Sequence, residues 1–378
     1  MQKLRMGMVG GGPGAFIGPV HRMAAELDGR IEMVAGAFSQ SAERSRAAGA
    51  AFGIDAARAY AGYREMLAAE RQRADGIDFV VIATPNHLHL PVAQAALEAG
   101  FAVVSDKPAT ATYEEVLQLE SVVKSAGLPY ALTHTYAGYS LVREARELCA
   151  TGRLGRIRKV AVEYLQGWLS QPLEATGQKQ AAWRSDPALN GPGGCIGDIG
   201  THAFHLVEYV TGLHVTGLNA TLRSVVEGRK LDDDCNAFLR LENGGTGTLM
   251  ASQVATGEGN GLRLRLYGER ASLEWRQEDP NRLMVRNLDG PEEIYHASGG
   301  YLGHAARSVT RLPGGHPEGY IEAFAVLYRE FADALLAWGQ GAADPLPATL
   351  PGIEAGVRGM RFIERAIASN RTAGWVEF

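Results

Sequence analysis

The first third of the chain alternates short apolar runs with segments of helical period. Leu4 to Val9 is a short apolar strand ending in glycines, Val20 to Leu27 has helical spacing, and Ile31 to Phe38 is a second apolar strand. Ser41 is placed to cap the next helix, with Glu43 and Arg44 in its first turn. Asp78 to Ala83 is a run of β-branched and aromatic residues, the pattern of a buried strand. His89 to Ala99 is helical and Gly100 ends it. Ala102 to Ser105, Tyr113 to Ser125 and Pro129 to Thr133 then read strand, helix, strand. This alternation with short loops predicts a doubly wound parallel sheet covered on both faces.

After about residue 138 the period changes. A helix, Leu141 to Cys149, leads into stretches that alternate with period two: RKVAVEYLQGW, NAFLRLEN, GTGTLMASQVA and RLRLYGERASLEW, separated by NGG and YGE turns. They predict a large open, mainly antiparallel sheet. Helical spacing returns at Tyr320 to Trp338 and at Ile353 to Ala368. The expected class is α/β: a Rossmann domain over 1–138, then an α+β substrate and oligomerisation domain over 139–378. The last helix, about 353–368, can pack back on the first domain.

A length of 378 residues agrees with two domains. Apolar residues make up 46%, enough for two cores, and the net charge of −5 comes without a basic block. That argues against nucleic acid or an anionic membrane as the main partner. Cys149, Cys195 and Cys235 are far apart and form no CxxC pair, which fits a reduced, cytoplasmic chain. The N-terminus lacks the pattern of a signal peptide, and no apolar run approaches the roughly 20 residues that span a bilayer.

The first strand ends in GGGPGAFIGPVH. In a doubly wound fold this turn is where a pyrophosphate sits, because glycines let the backbone approach it and the helix N-terminus attracts its charge. Gly10 and Gly12 fit the first two glycines of a dinucleotide fingerprint. The third falls at Ala15, an allowed variant, or at Gly18 with three extra residues in the loop. Gly10, Gly12, Pro13, Gly14, Ala15 and Phe16 are thus candidate contacts for NAD(P). The second strand ends in Phe38-Ser39-Gln40-Ser41, without the acid that binds a ribose 2′-hydroxyl. Ser39 can bond a hydroxyl or a phosphate, and Arg44 can reach a 2′-phosphate, but Glu43 adjoins it. The balance slightly favours NAD over NADP.

Three further stretches carry chemistry: ATPNHLHLPVAQAALEAG, SDKPAT and GGCIGDIGTHAFHL. With the glycine loop, and over nearly the whole chain, they resemble the Gfo/Idh/MocA oxidoreductases, the family of glucose–fructose oxidoreductase and inositol dehydrogenase. The resemblance implies that Thr84, Pro85, Asn86 and His89 lie along the cofactor. It implies that Asp106, in place of the commoner glutamate, lies near the nicotinamide ribose. Lys107 matches the catalytic lysine, with a cis bond before Pro108 to aim it, and Asp198 and His202 match the catalytic Asp and His. It also implies dimers or tetramers, for which the open sheet is a natural surface.

On a regular helix Asp198, His202 and His205 lie within about 60° of one another. Three readings compete: a metal site, a packed Asp–His pair, and a proton-transfer site. The family resemblance, which uses no metal, and the match of histidine to neutral pH favour proton transfer. His202 is then the general base, Asp198 orients it and bonds a substrate hydroxyl, and Lys107 polarises the reacting oxygen. For His205 alone packing is the better reading, with substrate contact as the alternative. Trp183 and Arg184 are candidates for sugar stacking and for a hydroxyl or anion, and His134 and Tyr136 for the substrate crevice.

The expected function is NAD(P)-dependent oxidation of a secondary hydroxyl on a sugar, cyclitol or glycoside. Two alternatives share the residues. One is a glycosidase working by transient oxidation, elimination, hydration and re-reduction; the other is a non-catalytic NAD(P)-binding sensor.

Overall fold

The computed structural model describes residues 3–343 and 345–378. The chain forms two compact units, Met1–His134 with Phe324–Val357, and Thr135–Ala323 with Arg358–Phe378. A continuous second domain over 139–378 is therefore interrupted. The helix Tyr320–Gly339 runs from the second unit into the first, and the helix Ile353–Thr372 runs back. Helical spacing shows that a helix has an apolar face; it does not say which sheet covers it.

In the first unit β1 (Leu4–Gly10), β2 (Ile31–Ala37), β3 (Phe79–Ala83), β4 (Ala102–Ser105) and β5 (Tyr130–Leu132) pair in parallel in the order β2-β1-β3-β4-β5. Every residue of β3, β4 and β5 is buried, as the continuous apolar runs require of a sheet covered on both faces. An isolated parallel bridge between Gly36 and Ala59 extends the edge beyond β2. With it the chain follows the 3-2-1-4-5-6 order of dinucleotide-binding folds. That order reverses between β1 and β3, so the turns after these strands flank the crevice where such folds bind ligands.

The helices of this unit have the expected caps. Ser41 Oγ accepts from the Arg44 N–H at 3.4 Å, and Thr112 and Glu115 form a reciprocal capping box. Phe331, from the helix Tyr320–Gly339, packs against Phe79 of β3 with ring centroids 5.1 Å apart. Tyr328 of the same helix places its hydroxyl 2.6 Å from His21 Nδ1, fastening it to the helix Ile17–Glu26.

The second unit is built on nine strands: β6 (Ile157–Leu165), β7 (Val215–Arg223), β8 (Asp234–Leu241), β9 (Thr246–Ser252), β10 (Gly261–Gly268), β11 (Ala271–Arg276), β12 (Arg282–Asn287), β13 (Glu292–His296) and β14 (Val376–Glu377). Their order is β13-β12-β11-β10-β6-β9-β8-β7-β14, antiparallel except for the β6–β9 pair. Along β10, Leu262, Leu264 and Leu266 are buried, while Arg263 and Arg265 between them pair with Glu163 and Glu274 on the other face. The helices Ser140–Ala150 and Thr201–Thr211 cover the apolar face. Among the described residues, no helix is long and apolar enough to cross a membrane.

Candidate active site

The glycine turn of the first unit is built around close backbone approaches. Gly10, Gly11 and Gly14 adopt φ of +82°, +66° and +83°. A Cβ on Gly10 would lie 2.5 Å from the Ala83 carbonyl oxygen, and one on Gly18 only 1.9 Å from that of Gly11. Gly18, not Ala15, is therefore the third glycine, where the helix Ile17–Glu26 touches the turn, and the loop is three residues longer than the common fingerprint. That helix has no acidic residue in its first turn, so no carboxylate there would oppose an anion at its N-terminal N–H groups. Pro13, Gly14 and Phe16 are exposed on this loop and Ala15 is half-buried. Beside Gly10, the buried Thr84 hydroxyl has no hydrogen-bond partner among the described residues. A glycine cradle, an open helix N-terminus and an unused hydroxyl fit a dinucleotide.

At the end of β2, Ser39 Oγ accepts from the Ser41 N–H at 3.2 Å, and Arg44 is exposed. Pro85 leads into a short turn in which Asn86 is buried. His89, expected along the cofactor, turns its ring to the backbone. It is 1% exposed, and its ring nitrogens lie 2.7 Å from the Pro108 carbonyl oxygen and 3.0 Å from that of Thr84. After β4, the Asp106 N–H donates to the Ile82 carbonyl at 2.9 Å, and Thr133 Oγ1 donates to Asp106 Oδ1 at 2.8 Å. Lys107 follows, half-buried, and its bond to Pro108 is cis, as the resemblance implies. His134 is buried beyond β5, its N–H donating to the Leu132 carbonyl at 2.9 Å.

In the second unit the segment bearing Asp198 is not a regular helix. Ile196–Gly200 is a π turn that joins the α-helix Thr201–Thr211, a device common at functional sites. Asp232 anchors it: its two carboxylate oxygens accept from the Gly194 and Ile196 N–H groups, each at 2.7 Å. Desolvation pushes this carboxyl up to about 6, against the pull of those donors. A Cβ on Gly194 would lie 2.1 Å from the Asp232 carbonyl oxygen, which accounts for that glycine. Asp232→Ala strands two N–H groups and is expected to cost about 2–4 kcal/mol, measured as a shift in denaturant midpoint.

Asp198 Oδ2 accepts from Gln253 Nε2 at 2.8 Å and from Arg184 Nε at 3.3 Å. The Arg184 guanidinium lies 4.2 Å from the centroid of the Trp183 ring, so Trp183 braces the cation. His202, 8% exposed, meets the Tyr136 ring edge-to-face at 4.9 Å and the Tyr164 ring at 6.2 Å. The two tyrosine hydroxyls are hydrogen-bonded to each other. Tyr164 donates to Asn260 Oδ1 at 2.7 Å, and Asn260 Nδ2 donates back to the Tyr136 oxygen at 3.3 Å. Gln166 donates to the same Asn260 oxygen at 2.8 Å. Burial raises both phenols far above their usual range, and the Asp198 charge adds to the rise at Tyr164. The result is a neutral wall of phenols and amides around His202, with one ion pair beside it.

His205 does not join this cluster. It stacks on Tyr209 at 5.5 Å, and Arg146 lies over the same ring at 4.7 Å. Desolvation and then the Arg146 charge push its imidazole down to about 3. The π turn shifts the phase of Asp198 against the α-helix that carries both histidines, so the regular-helix stripe does not hold across all three residues. Gln253, Tyr164, Gln166 and Asn260 carry no sequence signal beyond polar residues inside or beside strands. Asp232 reads as part of a solvated DDD run. Among the described residues, no group of three or more His, Cys, Asp or Glu is placed to hold a metal ion.

Residues 4–134 match the model of the oxidoreductase family with an NAD-binding Rossmann fold, and residues 142–274 match the GFO/IDH/MocA C-terminal domain. The uncharacterized oxidoreductase YfiI of Bacillus subtilis is 34% identical over 99% of this chain and 97% of its own. The chain belongs to the Gfo/Idh/MocA oxidoreductases. Among solved structures, an inositol dehydrogenase homologue from Azotobacter vinelandii, complexed with NADH and myo-inositol, superposes on this family member with a TM-score of 0.93. It shares 38% identity and covers 100% of this chain and 98% of its own. Levoglucosan dehydrogenase of Pseudarthrobacter phenanthrenivorans is 28% identical over 75% of this chain and 76% of its own.

Proposed function

We propose that this oxidoreductase is an NAD-dependent dehydrogenase of a secondary hydroxyl on an uncharged cyclitol or sugar. The observation that carries the reading is the wall around His202. Its phenols and amides are neutral and bonded to one another, and its cation, Arg184, is already matched by Asp198. Such a wall suits a ring rich in hydroxyls better than a phosphorylated or carboxylated one. The myo-inositol bound to the Azotobacter relative and the anhydrosugar named for the levoglucosan enzyme support the same class.

Bound in the glycine cradle, NAD+ supplies the acceptor for a hydride. The chain's residues handle the proton and the charge. His202 takes the hydroxyl proton as the C–O bond becomes a carbonyl. Lys107 donates a hydrogen bond to the same oxygen and steadies the charge it develops. Asp198, held by Gln253 and Arg184, accepts a hydrogen bond from a substrate hydroxyl and orients His202. Thr84, Pro85, Asn86 and Asp106 flank the cofactor.

The test is to incubate the protein with NAD or NADP and a panel of inositols, neutral sugars and aryl glycosides, following nicotinamide absorbance and free aglycone together. Net reduced nicotinamide with a neutral polyol is expected. Aglycone release without net reduction would overturn the reading in favour of a redox-assisted glycosidase. Tight cofactor binding with no turnover on any polyol would favour a sensor.

Cofactor choice has its own measurement. Ser39→Asp places a carboxylate at the end of β2 and is expected to weaken NADP binding at least about tenfold while sparing NAD, read by fluorescence titration.

A further inference from the structure

We propose that His89 is a positioning residue, which bridges the carbonyls of Thr84 and Pro108 and so fixes the backbone that presents Lys107. The proposal rests on the reading of Lys107 as the group that polarises the reacting oxygen.

The two turns it joins follow adjacent parallel strands. Their register is set inside the sheet, where Ile82 of β3 lies beside Ser105 of β4. Past those strand ends the ladder stops, and the chain leaves β3 through Thr84 and β4 through Asp106, Lys107 and Pro108. The Asp106 N–H makes one more bond, to Ile82, before the turns diverge. His89 opens the helix His89–Glu98 and sits between them, with Nδ1 2.7 Å from the Pro108 oxygen and Nε2 3.0 Å from the Thr84 oxygen. With 1% of its surface exposed, it has little left for a ligand.

Carbonyl oxygens only accept. A neutral imidazole has one N–H and satisfies one of them, whereas the imidazolium donates to both. Burial works against the cation here, and so does Lys107; Asp106 and the two carbonyls work for it. The net effect is a lowered imidazole, so the neutral ring donates to one carbonyl and packs its other edge against the second, filling the space between the two turns. A misplacement of about 1 Å at a reacting group costs on the order of 10²-fold in rate, so a lysine needs such a brace.

The test uses the full-length protein and two variants. His89→Phe keeps a ring of similar shape and removes both ring nitrogens; His89→Gln keeps a donor nitrogen on a flexible chain without the ring. Lysines are dimethylated with ¹³C-formaldehyde, the Lys107 resonance is assigned by its absence in Lys107→Arg, and spectra are taken with saturating NAD+. Turnover of myo-inositol is measured on unmodified protein. In folded His89→Phe the Lys107 resonance is expected to move, kcat to fall about 10- to 10²-fold, and the Kd for NAD+ to stay within about threefold. His89→Gln is expected to fall between it and the parent.

A Lys107 resonance unmoved in the folded variants would overturn the proposal, whatever the activity. If His89→Phe does not fold, His89→Gln alone carries that readout. A moved resonance together with parental turnover in Lys107→Ala would leave the brace standing and remove the catalytic reading of Lys107.

Discussion

Replacing His202 with alanine is expected to lower kcat by about 10²- to 10⁴-fold, the range general-base catalysis supplies, and to leave the Kd for NAD little changed. The glycine cradle belongs to the first unit and His202 to the second, so the substitution leaves the residues of the cradle itself unchanged. Truncation also opens space beside Tyr136 and Tyr164, and that cost must be separated from the chemical one. His202→Asn does so, because it keeps a polar side chain against the phenols but has no group that accepts a proton at neutral pH. Both variants should lose kcat alike while His202→Asn melts closer to the parent. Steady-state kinetics, cofactor titration and calorimetry on the same preparations decide it. Near-normal turnover in either variant would remove the base from His202 and return the Asp198–His202 pair to a packing role.

Lys107→Ala is expected to lower kcat by a comparable factor, since one lost electrostatic donor to a developing oxyanion is worth about 10²- to 10³-fold. The double variant with His202→Ala should lose little more than the worse single one. Residues that serve one transition state are strongly non-additive.

The period of the sequence carries the fold because the two sheets solve different burial problems. A parallel strand covered on both faces must be apolar throughout, and DFVVIA says so without its neighbours. A strand covered on one face must alternate, as NAFLRLEN does in β8. The pattern is silent where apolar content is thin. β13 alternates exposed and half-buried residues along Glu292–His296 and has no apolar stripe to announce it, and β14 is two residues long. It is silent, too, about long-range partners. Nothing in the sequence near Tyr328 points to His21, 307 positions away.

The site divides in the same manner. Glycines, the lysine beside a proline and the Asp–His spacing are local signals, so they can be seen in one dimension. What holds them is not local. Asp232 reaches back to Gly194 and Ile196, Gln253 reaches Asp198 from the end of β9, and Asn260 closes a ring with Tyr136 and Tyr164. The π turn is equally hidden, because one extra residue in a helical turn leaves no compositional trace. It changes the phase of Asp198 against the helix that carries His202 and His205, and His205 stacks on Tyr209.

Gly18→Ala is expected to raise the Kd for NAD by about 10²-fold, roughly 2.7 kcal/mol. The added methyl group would sit 1.9 Å from the Gly11 oxygen and 2.4 Å from the Gly11 carbonyl carbon, a backbone contact that no rotamer change relieves. Either the helix Ile17–Glu26 withdraws from the turn or the turn itself moves, and both displace the N–H groups that would hold the pyrophosphate. Overpacking of this kind also destabilises by about 1–3 kcal/mol, so a lower melting temperature should accompany the weaker binding. Two neighbours make the prediction specific. Ala15→Gly should leave the Kd within about twofold, because with Gly18 in the close-contact role position 15 has no need of a glycine. Gly14→Ala meets no atom within 4 Å, but its φ of +83° strains any side chain, so about 1–2 kcal/mol of stability should be lost with a smaller effect on the cofactor. Isothermal titration of the three variants with NAD gives the ranking directly. Ala15→Gly binding markedly tighter than the parent, with Gly18→Ala unaffected, would return the third glycine of the fingerprint to position 15. The loop would then have to close three residues earlier than the contact between Gly11 and Gly18 places it.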